Sequence, residues 1–168
     1  MNTSKPMKLF ISHSSKDVSY VSYLVKYLES LGMNDSNMFC SSIKGYGIPV
    51  GANIFDYLKD QFQQYCLKVI FVLSDNYYKS VASLNEMGAA WVLQYTYNCI
   101  LLPKFEFKDI KGAIDPRTIS IKMDGSERDV KSGFTELALS LQSEFGLRAV
   151  NSDVLERNRD ELDRKSVV

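Results

Sequence analysis

Few side chains of this 168-residue sequence are spaced as chemistry would need them, and the sharpest candidate is Glu86. It closes Ser83-Leu84-Asn85-Glu86, which fits a capping box, with the glutamate bonding back to the helix start. The alternative is a fixed carboxylate that stabilises positive charge as a bond breaks. One side chain cannot easily fill both roles. His13 is the only histidine, so a Ser-His-acid triad could run only through it; otherwise it is a loop histidine bonded to backbone. Ser12, Ser41 and Ser42 could donate to ribose or phosphate oxygens, and Ser41 and Ser42 could equally be turn formers. Gly45-x-Gly47 opens like a dinucleotide fingerprint but fails at Val50, where the third glycine belongs. Cys40, Cys66 and Cys99 show no metal-like spacing and read as reduced, mostly buried thiols.

Alternating elements must position these groups. Leu9-Phe10-Ile11 is a short apolar run that opens into His13-Ser14-Ser15-Lys16-Asp17, as a buried parallel strand does. Val18, Val21, Leu24, Val25, Leu28 and Leu31 then repeat at helical spacing until Gly32, with Tyr20, Tyr23 and Tyr27 as packing groups on the same stripe. Strands are expected near residues 8–12, 37–41, 68–74, 98–103 and 118–122. Helical stripes follow at Ile54-Leu58-Phe62-Tyr65, at Leu84-Met87-Trp91-Tyr95 and at Phe134-Leu137-Ala138-Leu141-Phe145. Strand and helix in strict alternation imply a five-stranded parallel sheet with helices on both faces. The ligand crevice of such a sheet lies at the carboxyl ends of the strands, where Ser12–Asp17, Ser41–Gly51 and Ser74–Glu86 converge.

Composition bounds the function. Lys plus Arg and Asp plus Glu are 20 each, which argues against a general nucleic-acid binder and leaves copies free to associate. No apolar run approaches the ~20 residues of a membrane span, and Met1–Lys8 lacks a signal core, so a cytosolic location without membrane contact is expected. The domain is expected to occupy residues 1–149; residues 150–168 are mostly charged and read as a solvated helix, frayed tail or linker.

Three segments together resemble the TIR family (Toll/interleukin-1 receptor domains), specifically its bacterial branch. Phe10-Ile11-Ser12-His13-Ser14-Ser15-Lys16-Asp17 is similar to the family's opening box. Phe39-Cys40-Ser41-Ser42 and Gly45-Tyr46-Gly47-Ile48-Pro49-Val50-Gly51 resemble the second strand and the BB loop. Leu84-Asn85-Glu86-Met87-Gly88-Ala89-Ala90-Trp91 resembles the helix that carries the family's catalytic glutamate. The resemblance covers roughly residues 7 to 146.

It implies a flavodoxin-like three-layer α/β sandwich and one of two activities. The first is NAD⁺ glycohydrolysis, giving nicotinamide and ADP-ribose or a cyclic isomer, in antiphage defence signalling or as an effector. Glu86 would then be catalytic, with Phe10, Ser12, His13, Ser41, Ser42, Tyr46, Ile48 and Asn85 around the substrate. NAD⁺ would be substrate, with no metal or other cofactor. Gly45, Gly47, Ile48 and Pro49 would form a loop that both closes over the nicotinamide and contacts other TIR domains. The second is a non-catalytic interaction adaptor. A nucleoside hydrolase or transferase of similar fold, using one carboxylate on ribose, is a further alternative. The sequence departs from the resemblance at Ala82, where many TIR NADases carry an aromatic, often Trp; Tyr46, Tyr77 and Tyr78 are candidates to replace it.

Overall fold

The computed structural model describes residues 5–93, 96–115 and 120–166, without the side chains of 165 and 166. Five strands form one all-parallel sheet: β1 (Met7–Ser12), β2 (Met38–Phe39), β3 (Cys66–Leu73), β4 (Thr96–Leu101) and β5 (Ser120–Lys122). Their order is β2-β1-β3-β4-β5, the flavodoxin-like order, as the alternation of elements implies. The expected fifth strand begins at residues 118 and 119, which lie outside the described residues. The second strand is shorter than expected because the Cys40 N–H turns back to the Tyr46 carbonyl (2.8 Å) instead of continuing the sheet.

The helices are α1 (Val18–Ser30), α2 (Ile54–Gln64), α3 (Asp75–Lys79), α4 (Val81–Leu93), α5 (Glu127–Phe145) and α6 (Ser152–Ser166). They cover both faces. Leu9, Ile11, Ile70 and Val72 point into a core shared with α1, α5 and α6, whereas Phe10, Val69, Phe71 and Leu73 point into one shared with α2, α3 and α4. The alternation of side chains along each strand divides the two layers. Tyr27 is a packing group, as expected: its ring meets Phe134 edge-on at 5.6 Å and its hydroxyl donates to the Phe134 carbonyl. Gly133 lets α5 approach β5, since a Cβ there would fall 2.8 Å from Ile121.

Two expectations need correction. Of the stripe Leu84-Met87-Trp91 only Met87 faces the core: Trp91 is 47% exposed and Leu84 is also exposed, and the buried residues of α4 are Ser83, Glu86, Met87 and Ala90. Tyr95, the stripe's last member, lies outside the described residues. A helix apolar on nearly every side gives its periodicity no phase, so the stripe cannot be read from spacing.

The charged segment after Asn151 is a helix, but not a wholly solvated one. α6 packs on α1 and α5 and inserts Leu162, 2% exposed, into the α1-side core. Its charged residues cover the outer face while Leu155 and Leu162 hold the inner one. No helix of the described residues is long and apolar enough to cross a membrane. Leu162→Ala is expected to lower stability by about 2–4 kcal/mol in urea unfolding, as for a buried leucine; a solvated tail would show no change.

Candidate functional site

The sheet order reverses between β1 and β3, the position where a sheet of this order forms its ligand crevice. The strand exits there are held by a buried polar network. Asp17, 5% exposed at the start of α1, accepts from Ser74 Oγ and from Asn76 Nδ2 (2.9 Å). Ser74 Oγ in turn accepts the Tyr77 N–H and starts α3. The Tyr77 hydroxyl lies 2.8 Å from Ser12 Oγ, and both side chains are buried. The exits of β1 and β3 are thereby tied together through side chains from three elements.

Helix α4 crosses β1 and β3 on this side of the sheet and carries Glu86 in its second turn. Ser80, not Ser83, starts the helix: its Oγ accepts the Ser83 N–H and its carbonyl accepts from Leu84. Ser83 is therefore an interior helical residue, and the capping-box reading of Ser83–Glu86 is overturned. Glu86 is only 7% exposed and makes no hydrogen bond or ion pair among the described residues. Burial alone pushes its carboxyl from 4.5 up to about 7. The Tyr77 hydroxyl is also pushed up, first by burial and further by the nearby Glu86, while its bond to Ser12 opposes the shift.

The other expected site residues fall in several places. Ser12 is at the crevice, but its hydroxyl is committed to Tyr77. Phe10 stacks on Phe39 at 4.6 Å inside the core, so its ring faces no open site. Asn85 precedes Glu86 and is exposed. His13 lies on the opposite, α1 side of β1, 4% exposed; its Nδ1 is 3.4 Å from the Ile11 carbonyl and 3.7 Å from Cys40 Sγ, and its Nε2 is buried without a partner. Burial lowers the histidine's proton affinity, with the Ile11 carbonyl and Asp17 opposing, and raises the Cys40 thiol to about 12. No contact joins this pair to Glu86 among the described residues.

Ser41 is exposed and Ser42 partly buried at the base of the following loop. Gly45 and Gly51 take left-handed conformations, φ 92° and 85°, which shape that loop. Ile48 is half-buried and Pro49 exposed, while Val50 is fully exposed and forms the apolar tip. Of the tyrosines considered in place of an aromatic at 82, Tyr77 is sealed by Ser12. Tyr78 stacks on Phe105 at 5.5 Å and bonds Lys111. Tyr46 packs on the α1-side core, and its hydroxyl is raised first by burial and then by nearby Glu29 and Asp35. Asp17 and Ser74 delimit segments that were expected at the crevice, but neither was named as a site residue, and Tyr77 was considered only as a replacement aromatic; the network that joins the three was not foreseen. Among the described residues no group of His, Cys, Asp and Glu is arranged to hold a metal ion.

No family model matches the chain. It is similar to an uncharacterized Bacillus subtilis (strain 168) protein, YddK, at 44% identity over 108 residues, covering 64% of this chain and 40% of YddK. The chain thus spans well under two thirds of that relative's length.

The Ser12–Tyr77 bond can be weighed by a double-mutant cycle. Tyr77→Phe leaves the Ser12 hydroxyl buried and unpaired, and is expected to cost about 1–2 kcal/mol in denaturant unfolding. Adding Ser12→Ala should cost less than the sum of the two single changes. Strict additivity would show that the two hydroxyls are not coupled.

Proposed function

We propose that this chain is a TIR-type NAD⁺ glycohydrolase, acting with Glu86 as its catalytic carboxylate. The observation that carries the reading is a buried glutamate with no hydrogen-bond or ion-pair partner among the described residues, carried by α4, which crosses β1 and β3. A cell rarely keeps such a group for stability, because burying an unpaired carboxylate is unfavourable. The three segments that resemble the TIR family supply the substrate.

In NAD⁺ the nicotinamide is a pyridinium, so it leaves neutral, taking the electron pair of the bond to ribose. No acid need protonate it. What needs stabilising is positive charge on the ribose, and a carboxylate supplies it. Water then adds its oxygen to the anomeric carbon and loses a proton, giving ADP-ribose; attack by a ring nitrogen of the adenine gives a cyclic isomer instead. Assembly of copies through the Ser41–Gly51 loop completes the proposal. Its fully exposed Val50 and exposed Pro49 give an apolar tip. The site of action is the cytoplasm, in defence signalling or as an effector.

A second reading is a TIR-type adaptor without catalysis. Ala82, and the engagement of Tyr77 with Ser12 and of Tyr78 with Phe105, favour it, because neither tyrosine is free to replace the missing aromatic.

Glu86→Gln separates the two. Loss of the charge is expected to slow nicotinamide release ~10²–10³-fold. Stability should move the other way. The folded chain holds the Glu86 proton up to about 7, against 4.5 unperturbed, so stability falls as pH rises through that window. Ionised Glu86 thus costs about 3 kcal/mol above pH 7. The glutamine variant should therefore melt several degrees higher at pH 8 and near wild type at pH 4. Wild-type turnover should rise with pH through about 7, as the carboxylate forms. Turnover of the variant at the wild-type rate would overturn the assignment; no turnover by wild type at any concentration would favour the adaptor.

Assembly has its own test. Turnover per molecule is expected to increase with protein concentration, and Ile48→Asp or Val50→Asp should abolish the increase without lowering the melting temperature. Concentration-independent turnover in all three proteins would exclude a shared site.

A further inference from the structure

Helices α2 and α4 cover the same face of the sheet, yet they barely touch each other. Neighbouring helices usually close to about 8–10 Å, with side-chain ridges filling the space between. Here α4 lines the space between them with Ala89 and Leu93, and an open groove of about 430 Å³ remains. That volume is within the usual range for small-molecule sites, about 300–1,000 Å³.

The walls are apolar. Phe55, Leu58 and Phe62 line the α2 side at helical spacing, and Ala89 and Leu93 line the α4 side. Phe55 and Leu93 remain about half exposed. The polar lining is unusually one-sided: Lys5, Lys59 and Gln63, with no carboxylate. Neither lysine has an ion pair among the described residues, and Lys5 Nζ reaches only the Phe62 carbonyl, at 3.5 Å. An apolar trough with cations at its rim is complementary to a molecule with an apolar chain and an anionic head. A second copy seated by its exposed loop tip suits it less well, because that loop carries Lys44.

We propose that the α2–α4 groove binds a single-chain fatty carboxylate, its chain along Phe55, Leu58, Phe62 and Leu93 and its head met by Lys5 and Lys59. At about 30 Å³ for each small group, the groove holds roughly a dozen carbons, so laurate is a suitable probe. The site is separate from Glu86, and its occupancy does not depend on NAD⁺ turnover.

The test titrates laurate, below its micelle concentration, into the full chain. Binding is read by calorimetry and by the fluorescence of Trp91, the chain's single tryptophan. Saturable one-to-one binding is expected. Reversing Lys5 and Lys59 to Glu should weaken laurate at least about tenfold while changing the binding of uncharged dodecanol less than about twofold. Ala89→Phe, which fills the groove, should weaken both ligands. If Ala89→Phe does not fold, as circular dichroism would show, the lysine pair still decides, since both positions are exposed. Absence of saturable binding overturns the proposal, as does laurate affinity that the charge reversal leaves unchanged.

Discussion

A parallel sheet buried on both faces is the constraint from which the rest of this molecule follows. Each strand must be joined to the next by a crossover, and every crossover leaves from the same end of the sheet. Polar chain exits therefore gather at one edge of an otherwise apolar layer. Buried polar groups there must find one another or water. Asp17, Ser74, Asn76, Tyr77 and Ser12 do so, each occupying another's hydrogen-bonding capacity. The network fixes the relation of β1, α1 and α3, and α3 leads directly into the helix that carries Glu86.

Against that background Glu86 stands apart. Asp17, Ser74, Tyr77 and Ser12, at the exits of β1 and β3, are satisfied by one another, whereas Glu86 is buried with no such partner among the described residues and with its proton affinity raised by burial alone. The contrast is informative because both groups are carboxylates in similar surroundings. Asp17 accepts two hydrogen bonds from side chains, which is how a structural carboxylate is accommodated. Glu86 lacks such donors, as a group would whose partner arrives from outside. This contrast, rather than position in a motif, is the physical ground for treating the two carboxylates differently.

Much of the fold was legible in the sequence, and the reasons are local. Runs such as Val69-Ile70-Phe71-Val72-Leu73 are apolar on consecutive positions because both faces of β3 are covered. The stripe of α1 could be phased because its polar residues are confined to one side. Where polarity no longer alternates, reading fails. α4 has apolar residues on nearly every side, so neither its buried face nor its first turn could be set from spacing, and Ser83 was open to being mistaken for a cap that Ser80 provides. α6 failed in the opposite sense: its charges conceal the few leucines that dock it, because one well-buried leucine contributes more than many solvated charges. Sequence reasoning singled out Glu86 and Ser12, but it assigned the Ser12 hydroxyl to a ligand. Its actual partner, Tyr77, is 65 residues away, a separation that no local pattern spans.

The same feature of α4 that defeats periodicity also explains its surface. A helix with a strong core stripe can devote its outer face to charge. α4 has no lysine or arginine and a single acid, which is turned inward, so its outer face shows Val81, Leu84, Trp91, Val92 and Leu93 to solvent. Scattered apolar residues on a surface need no explanation, but five exposed ones on a single thirteen-residue helix are a high density. Burying them would stabilise whatever covers them at about 25 cal/mol per Å² of apolar area. A helix built this way is poorly suited to being a passive cover for the sheet. It carries a buried carboxyl with no partner among the described residues and leaves several apolar side chains to solvent, and contact with another molecule could relieve both.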